Sequence, residues 1–257
     1  MKTVAIIGAG NLAASIAPAL KRAGVQITEV YSRTCSHAEE LAEKVDATSV
    51  GAISELNPAD FYILSVSDNY IEEAASLLPK NNAIVLHVSG SADIKALSVH
   101  CDRYGALYPF QTFSASRPVE DFSEIPVFIE ADSKETLAEI KELAEQISHK
   151  VAVLDSHQRM GLHIAAVFAC NFFNGILSCA FDICGEYGID PSDLKPLTEE
   201  TLRKAFDSGN PKTVQTGPAV RRDVSTMEKH LNLLQTKPEL KEIYSLISKH
   251  IQEASMY

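Results

Sequence analysis

Short apolar runs alternate with amphipathic segments along the first third of the chain. Residues Thr3–Ile7 form an almost wholly apolar run, too short for a helix and typical of a central strand in a parallel sheet. After a glycine turn, Leu12, Ile16 and Leu20 recur every four positions and predict a helix. Further strands are predicted at 27–31, 61–66 and 83–88, and further helices at 37–44, with Ser36 as its N-cap, and at 69–78. This alternation predicts an α/β fold with a doubly wound, mostly parallel sheet.

The pattern changes in the rest of the chain. Strands are predicted at 106–110, 126–129 and 150–154, with a helix at 134–147, and we expect these strands to extend the sheet. Beyond Ser156 only helical patterns remain, among them 191–206, 224–234 and 239–252. We therefore predict two domains, an α/β domain at 1–156 and an all-helical domain at 157–257.

One helical segment is apolar enough to be compared with a membrane span. Between Arg159 and Asp182 there is no Asp, Glu, Lys or Arg. The segment nevertheless contains His163, Asn171 and Asn174, which would have no partner in lipid, and no second span or basic flank accompanies it. We interpret it as a helix buried on all sides within the helical domain, and we predict no membrane association.

Charge and cysteine content narrow the class of protein. The 257 residues include 23 Lys and Arg against 34 Asp and Glu, a net charge of −11 that repels nucleic acid. The cysteines are Cys35, Cys101, Cys170, Cys179 and Cys184. Because they are odd in number and contain no C-x-x-C pair, neither a disulfide framework nor a metal site is predicted. We expect buried or partly buried free thiols.

Because Met1 leads directly into a strand rather than a signal peptide, we also expect a cytoplasmic protein.

The turn after the first strand carries the strongest chemical signal. The run Gly8, Ala9, Gly10, Asn11, Leu12 and Ala13 fits the pattern G-x-G-x-x-G/A and lies between a predicted strand and a predicted helix. In this pattern the first glycine permits a tight turn, and the second lets a pyrophosphate approach the backbone. Main-chain N–H groups and the positive end of the helix then bind the anion. We therefore predict a dinucleotide site that includes residues 8–12.

The end of the second strand favours NADP(H) over NAD(H). An NAD site places an acidic residue there to bind the ribose hydroxyls, but this chain has Ser32, Arg33 and Thr34 and no carboxylate. A guanidinium and two hydroxyls suit a 2′-phosphate. The alternative is an arginine on a solvated turn.

Two later strand ends are expected near the nicotinamide. Ligands of such sheets lie beyond the carboxyl ends of the strands. The residues that fall there are Ser65, Val66 and Ser67 after one strand, and His87 and Ser89 after the next. These side chains could equally cap the helices that follow.

The chain resembles a known superfamily. The run 8–13, the pair Ser32-Arg33 and the helical second half resemble the superfamily of pyrroline-5-carboxylate reductase, ketopantoate reductase and the β-hydroxyacid dehydrogenases. The runs 106–113, 163–171 and 216–223 are more similar to one branch, the Rossmann-like proteins with a DUF2520 C-terminal domain. The resemblance spans nearly the whole chain. It implies an N-terminal Rossmann domain, an all-α C-terminal domain of the 6-phosphogluconate dehydrogenase C-terminal-like type, and a homodimer formed through the C-terminal helices.

A reductase of this superfamily also needs a proton donor. In β-hydroxyacid dehydrogenases this is a lysine four residues before an asparagine; Asn171 matches the asparagine, but Val167 occupies the lysine position. His163 lies one turn earlier, in a row with Arg159, Val167 and Asn171. Our hypothesis is that His163 donates the proton or holds the substrate oxygen and that Asn171 orients it. The alternative is that both are hydrogen-bonded core residues.

These observations predict an NADP(H)-dependent oxidoreductase that acts on a small carbonyl or imine compound. An imine reductase similar to pyrroline-5-carboxylate reductase is a narrower alternative. A non-catalytic dimer that binds or senses NADPH is a second alternative, and a flavin or F420 as hydride partner stays open.

Overall fold

The computed structural model describes residues 1–114 and 116–254. The chain divides into two compact units, Met1–Cys170 and Asn171–Tyr257. The division falls inside one continuous helical stretch, Ser156–Glu186.

The first unit is built on one eight-stranded sheet of order β3-β2-β1-β4-β5-β6-β7-β8. Every neighbouring pair is parallel except β6 and β7. The strands are β1 (Thr3–Ile7), β2 (Gln26–Tyr31), β3 (Thr48–Val50), β4 (Phe61–Leu64), β5 (Ile84–His87), β6 (Tyr104–Pro109), β7 (Val127–Ala131) and β8 (Val151–Val153). The chain reverses its direction across the sheet between β1 and β4, where ligands of such sheets bind.

Helices cover both faces of this sheet. Four of them belong wholly to the α/β part: α1 (Ala13–Arg22), α2 (Cys35–Val45), α3 (Ile71–Ser76) and α4 (Lys134–Glu145). Alternate residues of β1 enter different cores: Val4 and Ile6 pack into one cluster with α1, α2 and α4, and Ala5 and Ile7 pack into another with α3. The apolar run of β1 is continuous because both of its faces are buried. This confirms the predicted doubly wound α/β fold.

The remaining helices are α5 (Ser156–Ala166), a π-helical segment (Val167–Phe172), α6 (Phe173–Glu186), α7 (Leu194–Asp207), α8 (Val224–Leu233) and α9 (Pro238–Ala254). The second unit is helical throughout its described elements. The prediction of a helical second half is confirmed.

The prediction that the long apolar helix is buried on all sides is wrong for the single chain. The most apolar window of Ser156–Glu186 has a mean hydropathy of 1.8, long and apolar enough to cross a membrane, and none of it is buried. Ile164, Ile176 and Phe181 are each about half exposed. Composition indicates that such a surface must be covered, but it does not indicate whether the cover comes from the same chain.

Two smaller predictions also need correction. Helix α2 begins at Cys35, so Thr34 rather than Ser36 occupies its N-cap position. Cys35, at the start of α2, and Cys170, in the uncovered π segment, are exposed, whereas Cys101, Cys179 and Cys184 are partly or fully buried.

Candidate functional site

The glycine turn after β1 is fixed by close backbone contacts. Gly8 has a φ of +103°, its N–H donates to the Tyr31 carbonyl (2.7 Å), and a Cβ there would lie 2.1 Å from the Ser65 carbonyl oxygen. At Gly10 a Cβ would meet no atom within 4 Å. The two glycines therefore differ: the first is required by the fold, and the second leaves open space beside the start of α1. Leu12 precedes α1 without a side-chain cap, and the first turn has no acidic residue, so the positive helix end is available to an anion.

Three predicted runs meet in one cavity of about 240 Å³. Its lining includes Gly8, Ala9 and Gly10 from the turn, Ser32, Arg33 and Thr34 from the end of β2, and Ser65, Val66 and Ser67 from the end of β4. The strand order explains the meeting, because β2, β1 and β4 are adjacent and parallel, and their carboxyl ends share one edge. Asn11 lies beside this cavity, and its side chain donates to the Phe113 carbonyl (3.4 Å).

Tyr31, His37 and Tyr70 also line the cavity, and sequence reasoning missed them. The Arg33 guanidinium lies 5.5 Å from the centre of the Tyr70 ring, a cation–π distance. Burial and the nearby Tyr31 hydroxyl raise the pKa of Tyr70. No carboxylate is found among the described residues of this lining. The residues fit a dinucleotide with a 2′-phosphate. The glycine turn leaves room for a pyrophosphate, and the basic side chains in the described lining are Arg33 and His37.

The side-chain hydroxyls of Ser67 and Ser89 differ in whether they already form hydrogen bonds within their own turns. Ser67 precedes the short 3₁₀ turn Asp68–Tyr70, and its side chain makes no capping bond there. Ser89 accepts from the N–H groups of Ser91 (3.0 Å) and Ala92 (2.9 Å), so its hydroxyl stabilises its own turn.

His87 is a buried residue rather than part of the cavity lining. Its side chain is fully buried, and Nδ1 accepts from the Ser89 N–H (3.2 Å). Nε2 makes no hydrogen bond to any described residue. Burial, together with the positive Arg159, lowers the pKa of His87 to about 4. The imidazole is therefore neutral at physiological pH, with its proton on Nε2.

A second group of residues lies farther along the same sheet edge. The hydroxyl of Tyr108, near the end of β6, is 3.1 Å from Nδ1 of His163 on α5. A Cβ at Gly90 would lie 2.7 Å from both of these atoms. Burial raises the pKa of Tyr108. The loop after β5 can therefore pass beside this pair only because residue 90 is glycine.

Arg159 connects α5 to the loop after β5. Its side chain is almost fully buried, with an ion pair to Glu130 of β7. The guanidinium also donates to the carbonyl oxygens of Ser89 (3.2 Å) and Ala92. His163 follows one turn later on the same helix, so this anchor fixes the backbone from which His163 projects.

Asn171 is exposed and lies in the π-helical segment, within the second compact unit. The predicted row of Arg159, His163, Val167 and Asn171 assumed α-helical geometry. Residues Val167–Phe172 are π-helical, so the α-helical spacing on which that row was based does not apply to them.

The strand order and the glycine turn define a dinucleotide-binding Rossmann domain followed by a helical domain. Models of two protein families match the chain: "NADP oxidoreductase coenzyme F420-dependent" over residues 3–92 and "Domain of unknown function (DUF2520)" over residues 125–251. A crystal structure described as "putative NADP oxidoreductase" from Bacteroides fragilis is 41% identical, with 98% of each chain covered and a TM-score of 0.91. The chain belongs to this family of Rossmann-type NADP oxidoreductases with a DUF2520 domain, and the expected NADP-binding class is confirmed.

More distant structures share the fold. A reductive aminase from Aspergillus terreus, in complex with NADPH and ethyl levulinate, is 15% identical with a TM-score of 0.72, over 99% of this chain and 93% of that one. A 1-pyrroline-5-carboxylate reductase from Streptococcus pyogenes is 14% identical with a TM-score of 0.61, over 100% and 99%. No curated protein matches the chain.

Proposed function

We propose that the protein is an NADP(H)-dependent oxidoreductase that reduces the C=O or C=N bond of a small carbonyl or imine compound. The observation that carries the proposal is the common edge of the sheet. It holds both the cavity formed by the glycine turn, Ser32–Thr34 and residues 65–67, and the pair Tyr108 and His163. A reductase needs these two functions side by side, a dinucleotide site and a proton donor.

The proposed cofactor contacts follow the order of the strands. The Gly10 backbone and the start of α1 hold the pyrophosphate. Arg33, assisted by Ser32, Thr34 and His37, binds the 2′-phosphate beyond the end of β2. Residues 65–67 then lie on the opposite side of β1, toward the nicotinamide.

The proposed chemistry needs one hydride and one proton. NADPH, when bound, supplies the hydride to the carbon of the C=O or C=N bond. His163, as the imidazolium, gives its Nε2 proton to the oxygen or nitrogen of that bond and becomes neutral. Asn171 remains our candidate for orienting the substrate.

Coenzyme titration tests the cofactor assignment. Binding of NADPH and NADH to the wild type, Arg33→Ala and Lys44→Ala is measured by calorimetry; Lys44→Ala removes an exposed charge from the end of α2. Charge-assisted hydrogen bonds contribute about 1.5–3 kcal/mol, so Arg33→Ala should weaken NADPH binding roughly tenfold to a hundredfold and leave NADH binding nearly unchanged. Tighter binding of NADH than of NADPH by the wild type would overturn the assignment.

A panel of small carbonyl and imine compounds tests the reaction. Turnover is followed as NADPH oxidation, with His163→Gln as the variant that removes the proposed acid. Turnover of imines alone supports the narrower alternative, an imine reductase. NADPH binding without turnover of any compound supports the sensor alternative, and turnover only with an added flavin or F420 identifies the hydride partner.

We also propose that a second copy of the chain covers the exposed apolar helix. Within Ser156–Glu186, Arg159 is buried in an ion pair of the α/β unit and His163 bonds Tyr108, which a lipid-spanning helix would not permit. Light scattering should give the mass of a dimer. A monomer that floats with phospholipid vesicles would contradict both this proposal and the predicted absence of membrane binding.

A further inference from the structure

We propose that Tyr108 is a positioning residue for proton transfer, and that its hydroxyl holds Nδ1 of His163 so that the transferable proton resides on Nε2. This inference rests on the proposed function, because it concerns the acid of that reaction. It adds Tyr108 as a residue that fixes the orientation of the His163 imidazole.

The ring of Tyr108 is packed against other aromatic rings, and among the described residues its hydroxyl has one hydrogen-bond partner. Tyr108 packs edge-on against Phe110 (ring centres 6.0 Å apart), which packs edge-on against Phe128 (5.8 Å). Among the described residues, the hydroxyl forms its hydrogen bond with His163 Nδ1 at 3.1 Å. At Gly90 a Cβ would lie 2.7 Å from the hydroxyl oxygen, so the glycine leaves the space that the hydroxyl occupies. The ring contacts and the hydrogen bond to His163 then position the hydroxyl.

A phenol suits both protonation states of the imidazole. Burial raises the pKa of Tyr108, so the hydroxyl keeps its proton at neutral pH. Toward the imidazolium, the Tyr108 oxygen accepts the Nδ1–H. When Nε2 gives its proton to the substrate oxygen or nitrogen, the ring becomes neutral, and the remaining proton stays on Nδ1 in the same hydrogen bond. Nε2 then takes a new proton from solvent, and the ring need not rotate during the cycle.

The buried Arg159 does not compete for this role. Arg159, one turn earlier on α5, is occupied by Glu130 and by the carbonyl oxygens of Ser89 and Ala92. An arginine cannot accept the Nδ1 proton. Tyr108 is therefore the group in this cluster that can keep the His163 ring oriented.

The chain contains its own matched control. In the helical unit, His230 Nδ1 lies 2.9 Å from the Tyr244 hydroxyl, and the two rings are edge-to-face at 5.7 Å. Tyr244→Phe therefore removes the same kind of hydrogen bond as Tyr108→Phe, at a place that the proposed chemistry does not use.

Imidazole NMR tests the contact independently of turnover. The full-length protein is labelled with ¹⁵N-histidine, and His163→Gln and His230→Gln assign the two signals among the eight histidines. At a pH that protonates the imidazoles, Tyr108→Phe should shift the His163 Nδ1–H signal and accelerate its exchange with water, leaving His230 unchanged. Tyr244→Phe should do the reverse. An unchanged His163 signal in Tyr108→Phe overturns the inference.

Turnover tests the consequence. With a compound from the panel that the wild type reduces, Tyr108→Phe should lower kcat roughly tenfold to a hundredfold with little change in the NADPH KM, and Tyr244→Phe should match the wild type. Equal kcat in Tyr108→Phe and wild type overturns the inference while the proposed function stands. If no compound is reduced, the proposed function fails even where NMR shows the hydrogen bond. If His163→Gln keeps full turnover, the reductase activity stands, but His163 is not its acid and the inference about Tyr108 is overturned.

Discussion

Arg159 forms an ion pair with Glu130 in which the guanidinium side chain is only 1% exposed and the carboxylate side chain 15%. The pair joins the first turns of α5 to β7. The Ser156 hydroxyl, which donates to the same carboxylate (2.8 Å), strengthens the connection. Because the guanidinium also binds two carbonyl oxygens of the loop after β5, this cluster fixes the position of α5 on the sheet edge.

Removal of Arg159 should destabilise the protein strongly. Arg159→Met keeps much of the side-chain volume but leaves a largely buried carboxylate without its cationic partner and two carbonyl oxygens without the guanidinium donor. Breaking a buried pair in this way costs about 3–5 kcal/mol. The free energy of unfolding, from urea denaturation followed by circular dichroism, measures the effect.

Lys141→Met provides the comparison for this variant. Lys141 pairs with Glu145 on α4, and both side chains are more than half exposed. Exposed pairs contribute about 0–1 kcal/mol, so its loss should be small. If the two variants lose similar stability, Arg159 does not have the structural role that its contacts indicate.

The two glycines of the turn should respond differently to alanine. Gly8→Ala places a Cβ 2.1 Å from a backbone oxygen at a positive φ, so it should lower the melting temperature and the yield of folded protein. Gly10→Ala meets no protein atom, so it should fold as the wild type does but bind NADPH at least tenfold more weakly, because its methyl group occupies the space for the pyrophosphate. Thermal unfolding and calorimetry separate the two effects. Wild-type affinity in a folded Gly10→Ala variant would place the pyrophosphate elsewhere.

Tyr70 should contribute to NADPH binding through Arg33. A cation–π contact at an exposed site is worth about 0.5–1 kcal/mol, so Tyr70→Leu should weaken NADPH binding roughly twofold to fivefold. Tyr70→Phe keeps the ring and should restore most of the affinity. NADH binding, which does not use Arg33 in our proposal, provides the internal control; an equal loss for both coenzymes would indicate a general distortion of the cavity.

Local sequence patterns predicted much of the α/β unit and of the cofactor cavity. The glycine turn, Arg33 and residues 65–67 follow strands, and parallel strands bring their carboxyl ends to one edge. Tyr70 and His37 lie on segments that were expected to be helical, and a helical pattern does not indicate which polar side chain turns toward a ligand. The three-residue strand β3 was not predicted because so short a segment has no measurable periodicity.

The contact between Tyr108 and His163 could not be predicted, because it is formed by the tertiary structure. Tyr108 and His163 are 55 positions apart, and no periodicity links them. The fully buried position of Arg159 was also unpredictable, because its partners come from β7 and from the loop after β5. The π-helical segment 167–172 shows the same limit, since a sequence pattern read with α-helical spacing does not reveal a π-helix.

His87 should make the stability of the α/β unit depend on pH. In the unfolded chain a histidine binds a proton near pH 6.5, whereas burial lowers the pKa of His87 to about 4 in the folded protein. Between these values the unfolded state binds more protons than the folded state, so protonation favours unfolding. The contribution of His87 is therefore complete above pH 6.5 and is lost as the pH falls toward 4, by about 3 kcal/mol in total.

His87→Leu should remove this dependence. The variant loses the acceptor for the Ser89 N–H, which costs about 1 kcal/mol at every pH, but it has no imidazole to titrate. Its free energy of unfolding should consequently fall less steeply than that of the wild type between pH 6.5 and 4. Leu97→Ala, at a fully buried apolar position of the same unit, should lower the stability and keep the wild-type slope. Equal slopes in all three proteins would mean that folding does not lower the pKa of His87, which would contradict its burial without an ion-pair partner among the described residues.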